Sequence, residues 1–329
     1  MLALMLVVSG CSSKLTDPTP ATIEPATAAV SPSPAQPPAG EVLAVGGRHT
    51  AALFDPMTSS LVVFTPGADP QAPATVTIVG PGGGTRPVEL DGAATAIAGN
   101  GRGTAYAATR GGFNTVDLTT GTVTATTIDG EADTDFTAIA RRADGSMVLG
   151  SAGGAIVIVD DERAVTNKTE IFARVDAIVI ENDTAVVLDR GQTSVTALSE
   201  QGAALQALRA GIGATTIAAD SAGRVLVVDS RGGQLLVFSV DPLIQRQGYP
   251  VSGTPYGIVG SQRLIWVSET ANNAVVGYDL ATGIPVEKMR YPTVRQPNSL
   301  AFDEGTGTLY VISGSGDGIQ VIRNAAGAT

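Results

Sequence analysis

The sequence predicts an all-β protein, a seven-bladed β-propeller of four-stranded blades whose last blade is closed by the N-terminal strand at residues 41–46. Three observations lead there. Seven copies of one pattern begin at Thr50, Thr95, Thr137, Asp176, Thr215, Tyr256 and Asn298, spaced 39–45 residues apart. A period near 40 with four strands per unit marks a propeller rather than a helical solenoid. Each copy opens with two apolar runs separated by a polar turn, such as Asn100-Gly101-Arg102-Gly103 or Glu304-Gly305-Thr306-Gly307, residues that tolerate the positive φ of tight hairpins. The seventh copy supplies strands at Ser299–Asp303, Thr308–Ile312 and Ile319–Arg323 but no fourth, whereas Glu41–Val45 precedes the first copy and has no place in it.

Composition agrees with many short strands. The 329 residues are 43% hydrophobic and include 40 glycines, with only 16% charged side chains. That is ample apolar material for a large core and many tight turns. The formal net charge is −11 and no Lys/Arg-rich run occurs, so a polyanion is repelled and no nucleic acid partner is expected. Cys11 is the single cysteine and His49 the single histidine, which excludes an intramolecular disulfide, a thiolate cluster and a zinc site of several imidazoles. No cofactor is expected.

At the amino terminus, residues 1–10 (MLALMLVVSG) are apolar but too short to span a bilayer as a helix. Leu6-Val7-Val8-Ser9-Gly10-Cys11 resembles a bacterial lipobox, and residues 1–11 are read as a lipoprotein signal peptide. The resemblance implies that Cys11 is lipidated and becomes the mature terminus, its thioether-linked diacylglycerol and amide-linked acyl chain (typically palmitate) together giving stable anchoring. No Lys or Arg precedes the apolar run, so the signal is expected to begin further upstream than Met1. Residues 12–40 carry seven prolines among Ser, Thr and Ala and read as a disordered tether that buries too little to offset its ordering entropy. The propeller is expected over 41–325, with 326–329 as a tail.

Within the repeats, the first two strands are nearly continuously apolar, as strands sandwiched between neighbouring blades require. Third strands such as Asn273–Asp279 alternate more. Pairing of Glu41–Val45 with the seventh copy removes two open strand edges. Deletion of 41–46 is therefore expected to be far worse than deletion of the tether. Residues 265–283 (IWVSETANNAVVGYDLATG) resemble the YVTN-type propeller repeat, and Pro255–Ile258 and Pro297–Leu300 are similar to starts of NHL-type repeats. Lipobox, Pro/Ala/Thr segment and propeller together are similar to envelope lipoproteins of actinobacteria. The resemblance implies a cell-membrane location, lipid-anchored on the extracytoplasmic face, and it encodes architecture rather than chemistry.

Propeller ligands favour the face built from loops entering each first strand and loops joining second to third strands. This rule gathers His49, Arg110, Arg174, Asp176, Asp229, Tyr256, Glu269 and Asn298 as a candidate channel-mouth ligand site, with Asp135, Asp189, Arg190, Arg231, Asn272, Asn273 and Asp317 on the same rim. No catalytic residue is assigned, because His49 has no Gly-x-Ser-x-Gly elbow or other positioned nucleophile to serve. The acidic run 129–135 (DGEADTD) lacks EF-hand spacing and reads as a solvated, mobile connection. Trp266 reads as core. The favoured function is an envelope binding or protein-interaction module for a protein, glycan or lipid partner. The alternative is a metal-dependent hydrolase or lactonase in which Asp176, Asp229, Glu269 and Asn298 converge on a cation at the channel mouth. A third reading is an assembly factor.

Overall fold

The computed structural model describes residues 21–161 and 163–327; the lipobox and Cys11 lie outside the described residues. The chain forms seven four-stranded antiparallel sheets arranged as a seven-bladed propeller. Blades 1 to 6 occupy residues 51–89, 94–127, 136–170, 177–209, 214–250 and 255–292. In each of them the strands pair in chain order. Blade 7 takes Pro297–Asp303, Thr308–Ser313 and Ile319–Ile322 from the C-terminal end and Glu41–Leu43 as its outer strand. The closing register is Glu41↔Val321, Val42↔Gln320 and Leu43↔Ile319. Closure therefore occurs where the incomplete seventh copy predicts it. The closing strand is shorter than expected, because Val45 N–H turns back to the carbonyl of Leu43 at 2.9 Å.

Second strands such as Thr184–Asp189 (TAVVLD) and Arg224–Asp229 (RVLVVD) are rich in β-branched residues that suit a pleated surface covered on both sides. Their side chains do not pool into one central core. They form seven clusters, each between neighbouring blades: Val62, Phe64 and Val76 meet Ala105 and Val116 between blades 1 and 2, and Leu61 and Val63 meet Ala301 and Ile312 across the closure. Trp266 is fully buried between blades 6 and 7, stacked on Tyr291 and Phe302. It fits because Gly277 lies opposite it in the third strand.

A ladder of hydroxyls stitches adjacent blades together at one end of the ring. Thr95 donates to the carbonyl of Phe136 and Thr137 to that of Val175, both at 2.6 Å, and Ser230 donates to that of Pro255 at 2.5 Å. Thr216 donates to the carbonyl of Tyr256. Thr95 and Thr137 hold blades together from the same point of the repeat, and Ser230 and Thr216 do so between blades 5 and 6.

Two expectations are corrected. Residues 21–40, expected within a disordered tether, have no helix or strand but lie across the face carrying the ladder, from blade 4 over blade 5 to blades 6 and 7. Ile23 N–H donates to the carbonyl of Gly191 at 2.8 Å and Ala39 N–H to that of Pro292 at 3.0 Å. The Gln320 amide bridges the carbonyls of Ala39 and Pro292 at 2.8 and 2.9 Å. Composition alone suggests disorder here because the segment buries almost no large apolar group; its contacts are made by the main chain. The connection 129–135 is also not loose. Glu131 is buried and paired with Lys168 at 2.9 Å, and Arg110 grips Asp133 and Asp135 at 2.9 and 2.8 Å.

Candidate functional site at the mouth of the ring

First strands line a central cavity of about 550 Å3, and Thr50, Tyr256 and Asn298 continue from it into a second, open cavity of about 730 Å3 beside blade 1. The second cavity is walled by Arg48, His49 and the 65–75 loop. Asp176, Tyr256 and Asn298 stand where Thr95 and Thr137 stand in their own copies. Their side chains donate none of the interblade bonds that the threonines make, so they are presented to the cavity instead.

The eight sequence candidates separate into three groups. Asp176, Tyr256 and Asn298 line the central cavity. Asp176 is held in place by Arg174 Nε at 3.0 Å and by the N–H of Arg190 at 2.8 Å, and Asn298 accepts from the Gln296 amide at 3.1 Å. His49 lines the adjoining cavity, and Arg174 reaches the mouth through its pair with Asp176. Arg110, Asp229 and Glu269 do not join the site.

Arg110 is exposed on the blade 2 rim, tied to its two aspartates, whose hydrogen bonds and charge raise its pKa further. Asp229 and Glu269 end the second strands of blades 5 and 6, and Asp189 holds the same place in blade 4. All three are buried. Asp229 accepts the N–H groups of Ile212 and Gly232 at 2.9 and 2.8 Å. Asp189 accepts those of Ala173, Arg174 and Gln192 at 2.8–3.1 Å. Glu269 takes a two-pronged bond from Arg290 at 2.8 and 3.0 Å, with Ser252 and Asn272 on its remaining lone pairs. Each carboxylate fastens the loop entering its blade, or the outer strand, to the loop after the second strand. Their oxygens are consumed by these bonds, so the cation set of Asp176, Asp229, Glu269 and Asn298 does not converge. Among the described residues no cluster of three His, Cys, Asp or Glu side chains is placed to hold a metal.

His49 is only 2% exposed. Its Nε2 faces the carbonyl of Val45 at 3.4 Å and its Nδ1 the hydroxyl of Thr65 at 2.8 Å. A carbonyl only accepts, so the proton belongs on Nε2, and Nδ1 accepts from Thr65. Burial lowers the pKa of the ring, and the bond to Val45 opposes that shift only partly. His49 is thus a neutral wall residue whose basic lone pair is already used.

Sequence reasoning did not select Arg48 or Gln296. Arg48 is exposed on the open cavity and forms no ion pair among the described residues. Its position next to His49, in a loop entering a first strand, is the signal that could have found it. Gln296 has φ of 55°, in the left-handed region, and joins Asn298 to the segment crossing the face; nothing in its sequence context marks it.

No protein-family model matches the chain, and neither does any curated protein. Solved structures match it in fold. A streptogramin B lyase structure aligns with a TM-score of 0.72 at 11% identity, covering 86% of this chain and 97% of that one. A catalytically inactive histidine-to-alanine variant of virginiamycin B lyase from Staphylococcus aureus, with quinupristin, gives 0.69 at 13% over 86% and 97% of the two chains. Kuenenia stuttgartiensis hydrazine synthase gives 0.70 at 13% over 88% and 99%. The likeness is to a seven-bladed propeller and extends to the fold alone.

Proposed function

We propose that this chain is a membrane-anchored, extracytoplasmic propeller acting as a binding module of the bacterial cell envelope, with Cys11 as the lipidated residue and the mouth face as the binding surface. The observation that carries the binding reading is the continuous cavity shared by Thr50, Tyr256 and Asn298, opened to solvent beside the unpaired guanidinium of Arg48. A cation, a phenol and an amide converge there without a free acid–base couple. Such a set supports recognition of a polar or anionic group on a partner better than it supports turnover. Cys11 at the end of its lipobox-like run supports the anchor.

Two enzyme readings are weaker. The metal-dependent hydrolase requires Asp229 and Glu269 at the mouth, and both are engaged elsewhere. A lyase by analogy with the streptogramin and virginiamycin enzymes lacks a comparable histidine, since the only one here, His49, is neutral and hydrogen-bonded on both nitrogens.

The test has two arms in the full chain. Metabolic acyl labelling should mark the protein and be lost in Cys11→Ser, which should also leave the membrane fraction. Photocrosslinking from position 48 or 256 in intact envelopes should give a discrete adduct that Asn298→Ala diminishes. An unlabelled, freely soluble wild-type protein contradicts the anchor, and lactone turnover abolished by a chelator contradicts the binding-module reading.

A further inference from the structure

The half of the mouth face away from the open cavity is covered by residues 22–32, and the side chains beneath them read a peptide backbone. Arg231 donates to the carbonyl of Glu24 at 2.7 Å, and Arg190 to that of Ala26. Gln296 donates to the carbonyl of Ala29 at 2.6 Å and accepts the N–H of Ser31 at 3.0 Å. Asn273 donates to the carbonyl of Pro32 at 2.9 Å. Four side chains from blade 4 to the entry of blade 7 thus address main-chain atoms spread along one extended segment. Only one side chain of the segment is recognised by polar contact: the Ser31 hydroxyl donates to the carbonyl of Thr270 at 2.5 Å and accepts the N–H of Gln296 at 3.0 Å.

Side-chain selection is otherwise by size. Ala26 and Ser31 are buried, whereas Val30 projects into solvent at 91% exposure. Little apolar surface holds the segment down, so its attachment rests on hydrogen bonds that another backbone can replace one for one.

The occupant also leaves bonds unmade. Asn273 is 6% exposed and its Oδ1 has no donor among the described residues, nor does Nε of Arg190 have an acceptor. Asn273 lines a pocket of about 430 Å3 with Arg290 and, just after the covering segment, Pro34, Ala35 and Gln36; its free Oδ1 is an acceptor that a bound backbone N–H can satisfy. Gln296 is held at a positive φ of 55°, a strain that non-glycine residues retain where the surroundings demand it, whereas Asn273, at 47°, caps the short turn Thr270–Asn272 in a conformation that asparagine adopts readily.

We infer that the surface formed by Arg190, Arg231, Asn273 and Gln296 is a receptor groove for an extended, proline-spaced, small-residue peptide segment of a partner protein, occupied here in cis by residues 22–32. This rests on the reading of the mouth face as a binding surface and names a class of partner for it. Such segments are already extended when free and lose little entropy on docking. A small residue must stand at each of two positions five apart, and the side chain before the second is unconstrained. The covalently attached segment competes at the high effective concentration of a linked ligand, so a partner peptide binds only as the segment lifts.

The test uses the full chain carrying Ala26→Arg and Ser31→Trp, which overfill the two small seats and leave the groove untouched. The probe is a fluorescent peptide of residues 21–36, ATIEPATAAVSPSPAQ, read by anisotropy, with protease cleavage within 22–32 reporting release of the covering segment. The expected result is cleavage in the double variant but not in the wild type, and probe affinity for the variant at least about tenfold above that for the wild type. Adding Gln296→Ala should lower that affinity by about tenfold or more, and Arg102→Ala, exposed in the turn between the first two strands of blade 2, should leave it unchanged. Absence of saturable binding, binding indifferent to Gln296→Ala, or a segment that stays protected in the double variant overturns the inference and makes residues 22–32 a fixed brace. The acyl-labelling and crosslinking arms above are independent of this outcome, so failure of either proposal is recognisable by itself.

Discussion

Asp229 and Glu269 illustrate how a polar residue at the right point of a repeat can belong to the scaffold. Each stands at a second-strand end, facing main-chain N–H groups or, for Glu269, an arginine that it shares with Glu287. Asp229→Ala removes a buried carboxylate that accepts two main-chain N–H bonds and should cost about 1–3 kcal/mol of stability in a denaturant titration, with no change in affinity for divalent cations. His49 makes a pH prediction. Its folded pKa lies below the ordinary 6.5, so as pH falls the unfolded chain takes up the proton first. Stability is complete above pH 6.5, declines as pH falls from there toward the lowered folded value, and levels off beneath it. Thermal melts from about pH 7.5 to 5 should show this decline in the wild type and a flatter response in His49→Gln. At this scale the repeat register points to Asp176, Tyr256 and Asn298, which line the cavity, but equally to Arg110, Asp229 and Glu269, which do not, and it passes over Arg48 and Gln296. It could not reveal which are free to meet a ligand, because that depends on partners on other strands, distant in the sequence: Arg290 for Glu269 and Thr65 for His49.

Elements were legible where they bury apolar side chains and illegible where they do not. The strand pairs of each blade announce themselves through near-continuous apolar runs, and the closing strand through an unmatched segment ahead of the first copy. The segment 21–40 carries no such pattern, and its docking depends on carbonyls, which every sequence has. A compact test of element packing is Gly277. A Cβ there would stand 2.8 Å from the Trp266 ring and 2.9 Å from Leu264. Gly277→Ala should therefore cost about 1–3 kcal/mol through overpacking between blades 6 and 7, seen as a lower melting temperature with altered Trp fluorescence.

For the whole molecule, the absence of a single central core has a consequence. Each blade is stable only between two neighbours, since the apolar clusters all lie at blade interfaces. Removal of residues 41–46 exposes the edge of Ile319–Ile322 and loosens the closure cluster, so size-exclusion chromatography should show aggregates rather than a monomer of altered stability. Closure also decides which loops share a face, and hence why Arg48, Tyr256 and Asn298, so distant in the chain, meet at one opening while Arg190, Arg231, Asn273 and Gln296 form a track beside it.

The functional account depends on that track being filled by the chain itself. Hydrogen–deuterium exchange of the full-length protein tests this most directly, through the amides of Ile23 and Ser31, which the structure bonds to Gly191 and Gln296. Both should exchange far more slowly than a free peptide of the same sequence and regain the free rate in the Ala26→Arg/Ser31→Trp variant. Exchange at the free-peptide rate in the wild type would contradict the account and return residues 21–40 to a tether.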